Sequence, residues 1–233
     1  MDNIHYSQER AASYDAHHTK SLRNRLTTWR ERQCLREALA MASPLRRVLD
    51  LPCGTGRFAD SLSGLDFEHL TIADNSPGML ARAVAAFEAV VVPENATAAA
   101  AESATYPKTR FDARLLSAFD IDLPDNSVDF IACMRFFHHL AYAEDRQSVL
   151  AEFRRISNKE SMLAVSLWVD GNLGSWRRSR KSTTLRERGF GRRRVVERAV
   201  IEQEFSDAGY TVIKYWDMWP GLTMWRQYLL QLP

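Results

Sequence analysis

Apolar positions fall along this chain in two alternating patterns, helical spacings and short unbroken runs. Leu22, Leu26, Trp29, Gln33, Cys34, Leu35 and Leu39 step mainly by three or four, which predicts an amphipathic helix ended by Ser43-Pro44. Arg47-Val-Leu-Asp-Leu51 is an apolar run closed by turn residues, the pattern of a buried parallel strand. Pro52-Cys-Gly-Thr-Gly56 reads as a tight loop, and helical spacing resumes from Arg57 to Leu62. A second strand is predicted at His69–Ala73. Ser76 as N-cap and Pro77 at the first helical position then open a helix from Gly78 to about Val90.

Residues 93–109 are small and polar and read as a surface insertion. Further strands are predicted at Ala113–Phe119, Val128–Cys133 and Met162–Trp168, with a helix from about Glu144 to Ile156. A helix over Val195–Ala208, a strand over Tyr210–Asp217, a Trp-Pro-Gly turn at 219–221 and a strand near Thr223–Leu230 complete the chain. Strands alternating with helices predict an open, mostly parallel α/β sheet. The short turn between the last two strands requires one antiparallel pair.

With 233 residues, 45% of them hydrophobic and 26% charged, the chain suits one globular domain and excludes disorder, collagen-like repeats and coiled coil. The net charge of +2 hides an asymmetry. Ten basic residues and two acids lie between Arg177 and Arg198, which leaves the rest of the chain at −6. The three cysteines are dispersed, with no Cys-x-x-Cys, against a disulfide framework or zinc ribbon. The N-terminus lacks the basic and apolar regions of a leader, and no apolar run is long enough to span a bilayer. The expected location is cytoplasmic, where the sequon Asn95-Ala-Thr97 has no role.

Gly54-Thr-Gly56-Arg-Phe-Ala59 fits a dinucleotide-binding fingerprint, with Asp74 at about the distance of a ribose-binding acid. Asp50, at the strand end just before the glycines, argues otherwise. A pyrophosphate on a helix N-terminus gains nothing from an adjacent carboxylate, whereas a ligand carrying sulfonium and ammonium groups does.

Asp50-Leu-Pro-Cys-Gly-Thr-Gly56 resembles the first motif of the class I S-adenosylmethionine-dependent methyltransferases. The similarity continues in Ile72-Ala-Asp-Asn-Ser-Pro-Gly-Met-Leu80, Leu123-Pro-Asp-Asn-Ser-Val-Asp-Phe130, Phe137-His-His-Leu140 and Arg155-Ile156, in the manner of the ubiquinone/menaquinone-biosynthesis-like (type 11) branch. The resemblance implies a Rossmann-like, doubly wound seven-stranded sheet of order 3-2-1-4-5-7-6 with strand 7 antiparallel. It also implies an N-terminal helical cap over residues 1–44, a cofactor core over 45–168, a basic lid over 169–194 and a C-terminal helix with edge strands over 195–233.

The implied cofactor is S-adenosylmethionine. Asp50, Leu51, Pro52, Cys53, Gly54 and Gly56 would hold its methionine end, and Asp74 its ribose hydroxyls. Asn75 and Met79 would border the adenine, Ala118 and Phe119 would flank it, Met134 would floor the pocket, and Tyr14 is a candidate contact from the cap. Pro52 replaces the family's first glycine, the acid that normally meets the adenine amino group has no clean match (Ser117 or Asp120 could substitute), and Asn158-Lys-Glu-Ser161 replaces its Pro-Gly-Gly turn.

His139 matches the family's recurrent histidine and is the first candidate for a catalytic base, with His138 second. Arg135 and Trp176 are the candidate acceptor-binding residues. A cationic lid favours a phosphorylated or carboxylated small-molecule acceptor, an acyl carrier or an acidic membrane surface, and O-methylation is preferred because a histidine base most helps a hydroxyl. Nucleic acid is disfavoured because Cys133-Met-Arg-Phe-Phe137 lacks the Asn-Pro-Pro-Tyr character of base-amino methyltransferases. Cys53 and Cys133 read as packing residues, no metal site is predicted, and monomer and homodimer both stay open. A non-catalytic cofactor-binding regulator and an RNA methyltransferase are the competing readings.

Overall fold

The computed structural model describes residues 22–42, 44–63, 67–91, 111–178 and 195–233. The expected insertion at 93–109, Tyr14 and residues 179–194 of the basic run lie outside them. In chain order the elements are α1 (Leu22–Met41), β1 (Arg47–Asp50), α2 (Ala59–Leu62), β2 (His69–Asp74), α3 (Pro77–Val91), β3 (Phe111–Leu115), β4 (Val128–Cys133), a single 3-10 turn (Phe137–His139), α4 (Ala143–Ile156), β5 (Ser157–Trp168), α5 (Arg198–Asp207), β6 (Thr211–Asp217) and β7 (Trp225–Gln231). The sheet has seven strands in the order β3-β2-β1-β4-β5-β7-β6, with β7 antiparallel to both its neighbours, as expected. The chain divides into two compact units, Met1–Ser117 and Ala118–Pro233. Among the described residues no helix is long and apolar enough to cross a membrane.

In the first unit β1, β2 and β3 run parallel. Leu70 to Asp74 are buried on both faces, which explains why β2 reads as an unbroken apolar run. Helix α3 starts where the capping pattern predicts: the Met79 N–H donates to Ser76 Oγ at 3.4 Å. Two expectations shift. Strand β3 ends at Leu115 rather than Phe119, because its register against β2 closes at Asp74↔Leu115 and Phe111 packs on Phe87 with ring centroids 5.4 Å apart. Helix α1 buries Thr27, Glu31, Cys34, Leu35, Ala38 and Leu39, while Leu26 and Trp29 of the expected apolar face are exposed. Arg32 holds α1 to the start of α2 through the Arg57 carbonyl (2.8 Å) and the Asp60 carboxylate (2.5 Å).

In the second unit β4 has its expected limits, but β5 begins at Ser157 instead of Met162. Helix α4 passes straight into the strand, and the register against β4 shifts between Val128 and Phe130. Glu160 adopts a left-handed φ of 63°, so one strained residue within the strand takes up the bend that a Pro-Gly-Gly turn would make. Helix α5 begins at Arg198 rather than Val195 because Val196 bridges Val169 in parallel. The final strand likewise runs Trp225–Gln231.

Two arginines tie this unit together. Arg155 donates to the carbonyls of Ile121 (2.6 Å) and Leu123 (3.0 Å) and to Asp125 (2.7 Å), clamping the loop before β4. Arg146 on α4 makes a bidentate pair with Glu204 on α5 (2.7 and 2.6 Å), both side chains nearly fully buried, and donates to the Leu140 carbonyl at 3.0 Å.

Candidate functional site

The glycine loop of the first unit is built by β1 and β2. Strand β1 delivers Asp50 to a position with no solvent exposure, and the chain turns through a cis Leu51–Pro52 peptide into Gly54 and Gly56, with φ of +57° and +75°. The two glycines answer different needs. A Cβ on Gly56 would lie 2.8 Å from Ala86 Cβ and 3.0 Å from Ala83 Cα, so this glycine admits helix α3. A Cβ on Gly54 would meet nothing within 4 Å, so there the loop borders open space.

Asp74, at the end of β2, sets the loop. Its Oδ2 accepts from the Gly54 N–H at 3.0 Å and its Oδ1 from the Ser76 N–H at 2.9 Å, while the Cys53 N–H donates to the Ala73 carbonyl at 2.8 Å. Burial raises the pKa of Asp74, and these amide donors offset part of the rise. Asp50 differs. Both its oxygens are buried without a hydrogen-bond partner, and burial, with Asp74's charge beside it, holds its pKa well above the carboxylate range. A buried carboxylate with neither donor nor cation is costly. A ligand bringing a positive charge and N–H donors is what this position lacks, and the methionine end of S-adenosylmethionine brings both, so the residues fit that cofactor.

Of the other candidates in this unit, Leu51, Cys53 and Met79 are buried, whereas Pro52 and Asn75 are partly exposed. Burial and the charges of Asp50 and Asp74 push the Cys53 thiol up, away from the reactive thiolate. In the second unit Ala118 and Met134 are buried and Phe119 is exposed at its surface.

Beyond β4, Arg135 takes a left-handed φ of 57° and its N–H donates to Ser166 Oγ at 2.8 Å. The 3-10 turn follows. His138 is buried, stacked on Trp168 (4.8 Å, 27°) and edge-on to Trp225 (4.9 Å), while His139 stays partly exposed with its ring 4.1 Å from that of His138. The sequence-level pairing of the two histidines therefore separates into a packed ring and an accessible one. Trp176 is half exposed.

Among Trp216, Trp219 and Trp225, one of which the sequence allowed in the acceptor pocket, Trp225 is the one paired with Trp168. Trp168 and Gln227 escaped the sequence reading because strand pairing, not spacing, gathers them (Trp168↔Trp225, Ser166↔Gln227). Arg146 had a legible signal: it occupies a core position of α4, one turn ahead of Val149 and Leu150. Among the described residues no group of three or more His, Cys, Asp or Glu could hold a metal ion.

The methyltransferase-domain family model Methyltransf_11 matches residues 49–165, half of the chain. No curated protein matches it. Among solved structures, a SAM-dependent methyltransferase from Aquifex aeolicus is 16% identical with a TM-score of 0.62, over 98% of this chain and 100% of that one. A magnesium protoporphyrin IX methyltransferase from Synechocystis, crystallised with bound SAH, is 13% identical with a TM-score of 0.65, over 91% and 88%. The cyclase SpnF is 14% identical with a TM-score of 0.59, over 85% and 80%. Likeness at these identities establishes the fold, and SpnF's description as a cyclase illustrates why fold alone does not assign a reaction. The family match goes further, for it spans the glycine loop, the Asp74 motif and the histidine turn together: the chain belongs to the methyltransferase-domain family and is an S-adenosylmethionine-dependent methyltransferase.

Proposed function

We propose that this methyltransferase acts on an oxygen of a small, negatively charged acceptor, with His139 as the base. The observation that carries the reading is the 3-10 turn directly after β4, which leaves His139 partly exposed while the neighbouring His138 is packed against two tryptophans. Bound S-adenosylmethionine supplies an electrophilic methyl group on a sulfonium sulfur. The chain's part is to hold and orient. Asp50 receives the ammonium group, the loop from Leu51 to Gly56 receives the methionine end, and Asp74 offers its remaining lone pairs to the ribose hydroxyls. Asn75 and Met79 border the base.

His139 accepts the proton from the acceptor's hydroxyl as the oxygen takes the methyl group. Much of the rate comes from positioning, since transfer between two oriented partners needs little further chemistry. Arg135 and Trp176 receive the acceptor. The N-terminal cap with Tyr14 and the basic lid over 169–194 complete this assignment, although Tyr14 and most of the lid lie outside the described residues.

Replacing His139 with Ala is expected to lower turnover about 10²–10⁴-fold, the usual contribution of a general base, with cofactor affinity unchanged. Steady-state kinetics with cofactor titration check this, and equal turnover would remove the base assignment. Methyl transfer to no small acceptor, with cofactor binding intact, would favour a regulator. Salt-dependent RNA binding lost on neutralising Arg192, Arg193 and Arg194 would favour an RNA methyltransferase.

A further inference from the structure

Two guanidinium groups near the ends of β4 and β5 lie over tryptophan rings. The Arg135 guanidinium carbon sits 4.8 Å from the Trp225 ring centroid, and that of Arg178 sits 4.7 Å from the Trp168 centroid. The two rings meet edge to face at 5.5 Å, and His138 stacks on Trp168. Strand register explains the grouping. Trp168 and Trp225 are cross-strand partners, as are Ser166 and Gln227 two residues further along, so all four side chains share one face of the β5–β7 pair.

A guanidinium laid on a ring is held by the π-face while its donors stay in its own plane, directed away from the ring. Each arginine is thereby oriented before any ligand arrives. Arg135 reaches this place through a left-handed backbone that a non-glycine residue adopts at a cost, pinned by its hydrogen bond to Ser166. Gln227, on the same face and fully buried, has neither amide atom in a hydrogen bond. A buried amide left unpaired in this way is costly. A ligand that brings one donor and one acceptor would recover that cost.

We propose that Arg135 and Arg178, held on Trp225 and Trp168, form an anion subsite that binds the acidic group of the acceptor, a carboxylate or a phosphate. Gln227 reads a neighbouring polar group of the same molecule. The inference rests on the reading that the acceptor meets the protein beyond β4. It adds Arg178, Trp168, Trp225 and Gln227 to that reading and gives the acceptor's negative charge a place.

The test is tryptophan fluorescence of the full chain saturated with S-adenosylhomocysteine, titrated with benzoate, phenyl phosphate and the uncharged isostere benzamide. The expected result is saturable quenching by one or both anions, at least tenfold weaker for benzamide. Arg178→Gln and Arg135→Gln should each weaken anion binding at least tenfold and leave S-adenosylhomocysteine affinity, measured separately, unchanged. Preference between benzoate and phenyl phosphate then distinguishes a carboxylate acceptor from a phosphorylated one. Benzamide binding as well as benzoate, or either arginine variant binding anions like the wild type, would overturn the subsite while leaving the cofactor assignment standing. Arginine-dependent anion binding in a chain that does not bind S-adenosylhomocysteine would support the subsite and overturn the functional reading beneath it.

Discussion

Asp50→Asn is expected to make the cofactor-free protein more stable and, at the same time, a poorer binder of S-adenosylmethionine. In the folded chain both Asp50 oxygens are buried without a donor, and burial together with Asp74's charge raises the pKa of its carboxyl well above the carboxylate range. An acid whose folded pKa lies above its unfolded value binds more protons when folded over the interval between the two. Its contribution therefore favours folding below the unfolded pKa and is lost as pH rises through the folded pKa. An amide cannot ionise, so the variant escapes this loss. The gain near neutral pH is the avoided cost of charging a buried carboxyl, read as about 2–4 °C in melting temperature per kcal/mol for a chain of this size.

Cofactor affinity should move the other way, falling about tenfold or more as a charge-assisted contact is lost. The wild-type affinity should itself rise with pH as Asp50 ionises, and this slope should vanish in the variant. Differential scanning calorimetry and cofactor titration at several pH values measure both effects. A variant less stable than wild type in the cofactor-free state would contradict the account of Asp50.

The second large effect is expected at Arg146. Its pair with Glu204 joins α4 to α5, and its third hydrogen bond holds the Leu140 carbonyl, just past the histidine turn. Removing one partner of a buried pair strands the other charge, at about 3–5 kcal/mol. Arg146→Met should therefore lower the melting temperature by roughly 10 °C, taking about 2–4 °C per kcal/mol. The double variant Arg146→Met, Glu204→Leu should recover most of the loss, because neither charge then stays buried. It should not recover all of it, since the Leu140 carbonyl still lacks its donor. A double variant as unstable as the single one would show that the stranded glutamate is not the source of the loss.

How far the fold could be read in advance depended on whether the determining contacts are local. Ser76 and Pro77 start α3 as their types predict, because capping is settled within one turn. The reversed edge followed from the short link around 219–221, since a parallel pair would need a crossover of a dozen or more residues. Strand β3 was misplaced because its limits are set by pairing with β2, many residues away. The segment 158–161 stands where the family has a turn and the strand is predicted only from Met162, yet Glu160's backbone lets the strand run through it. In the site, Asp50 and the glycines stood out because an acid before a glycine loop is unusual chemistry at short range. The edge-to-face pair of Trp168 and Trp225 and the place of Gln227 did not, because cross-strand register alone brings them together.

The central claim is that the loop between β1 and α2, with Asp74 beside it, binds the methyl donor. The most direct measurement is calorimetric titration of the full chain with S-adenosylmethionine and S-adenosylhomocysteine, on the wild type and on Asp74→Asn variants shown by circular dichroism to be folded. The account predicts saturable one-to-one binding of both ligands to the wild type, weakened at least tenfold by the substitution. Binding of neither ligand, or equal affinity in the folded variant, would contradict it.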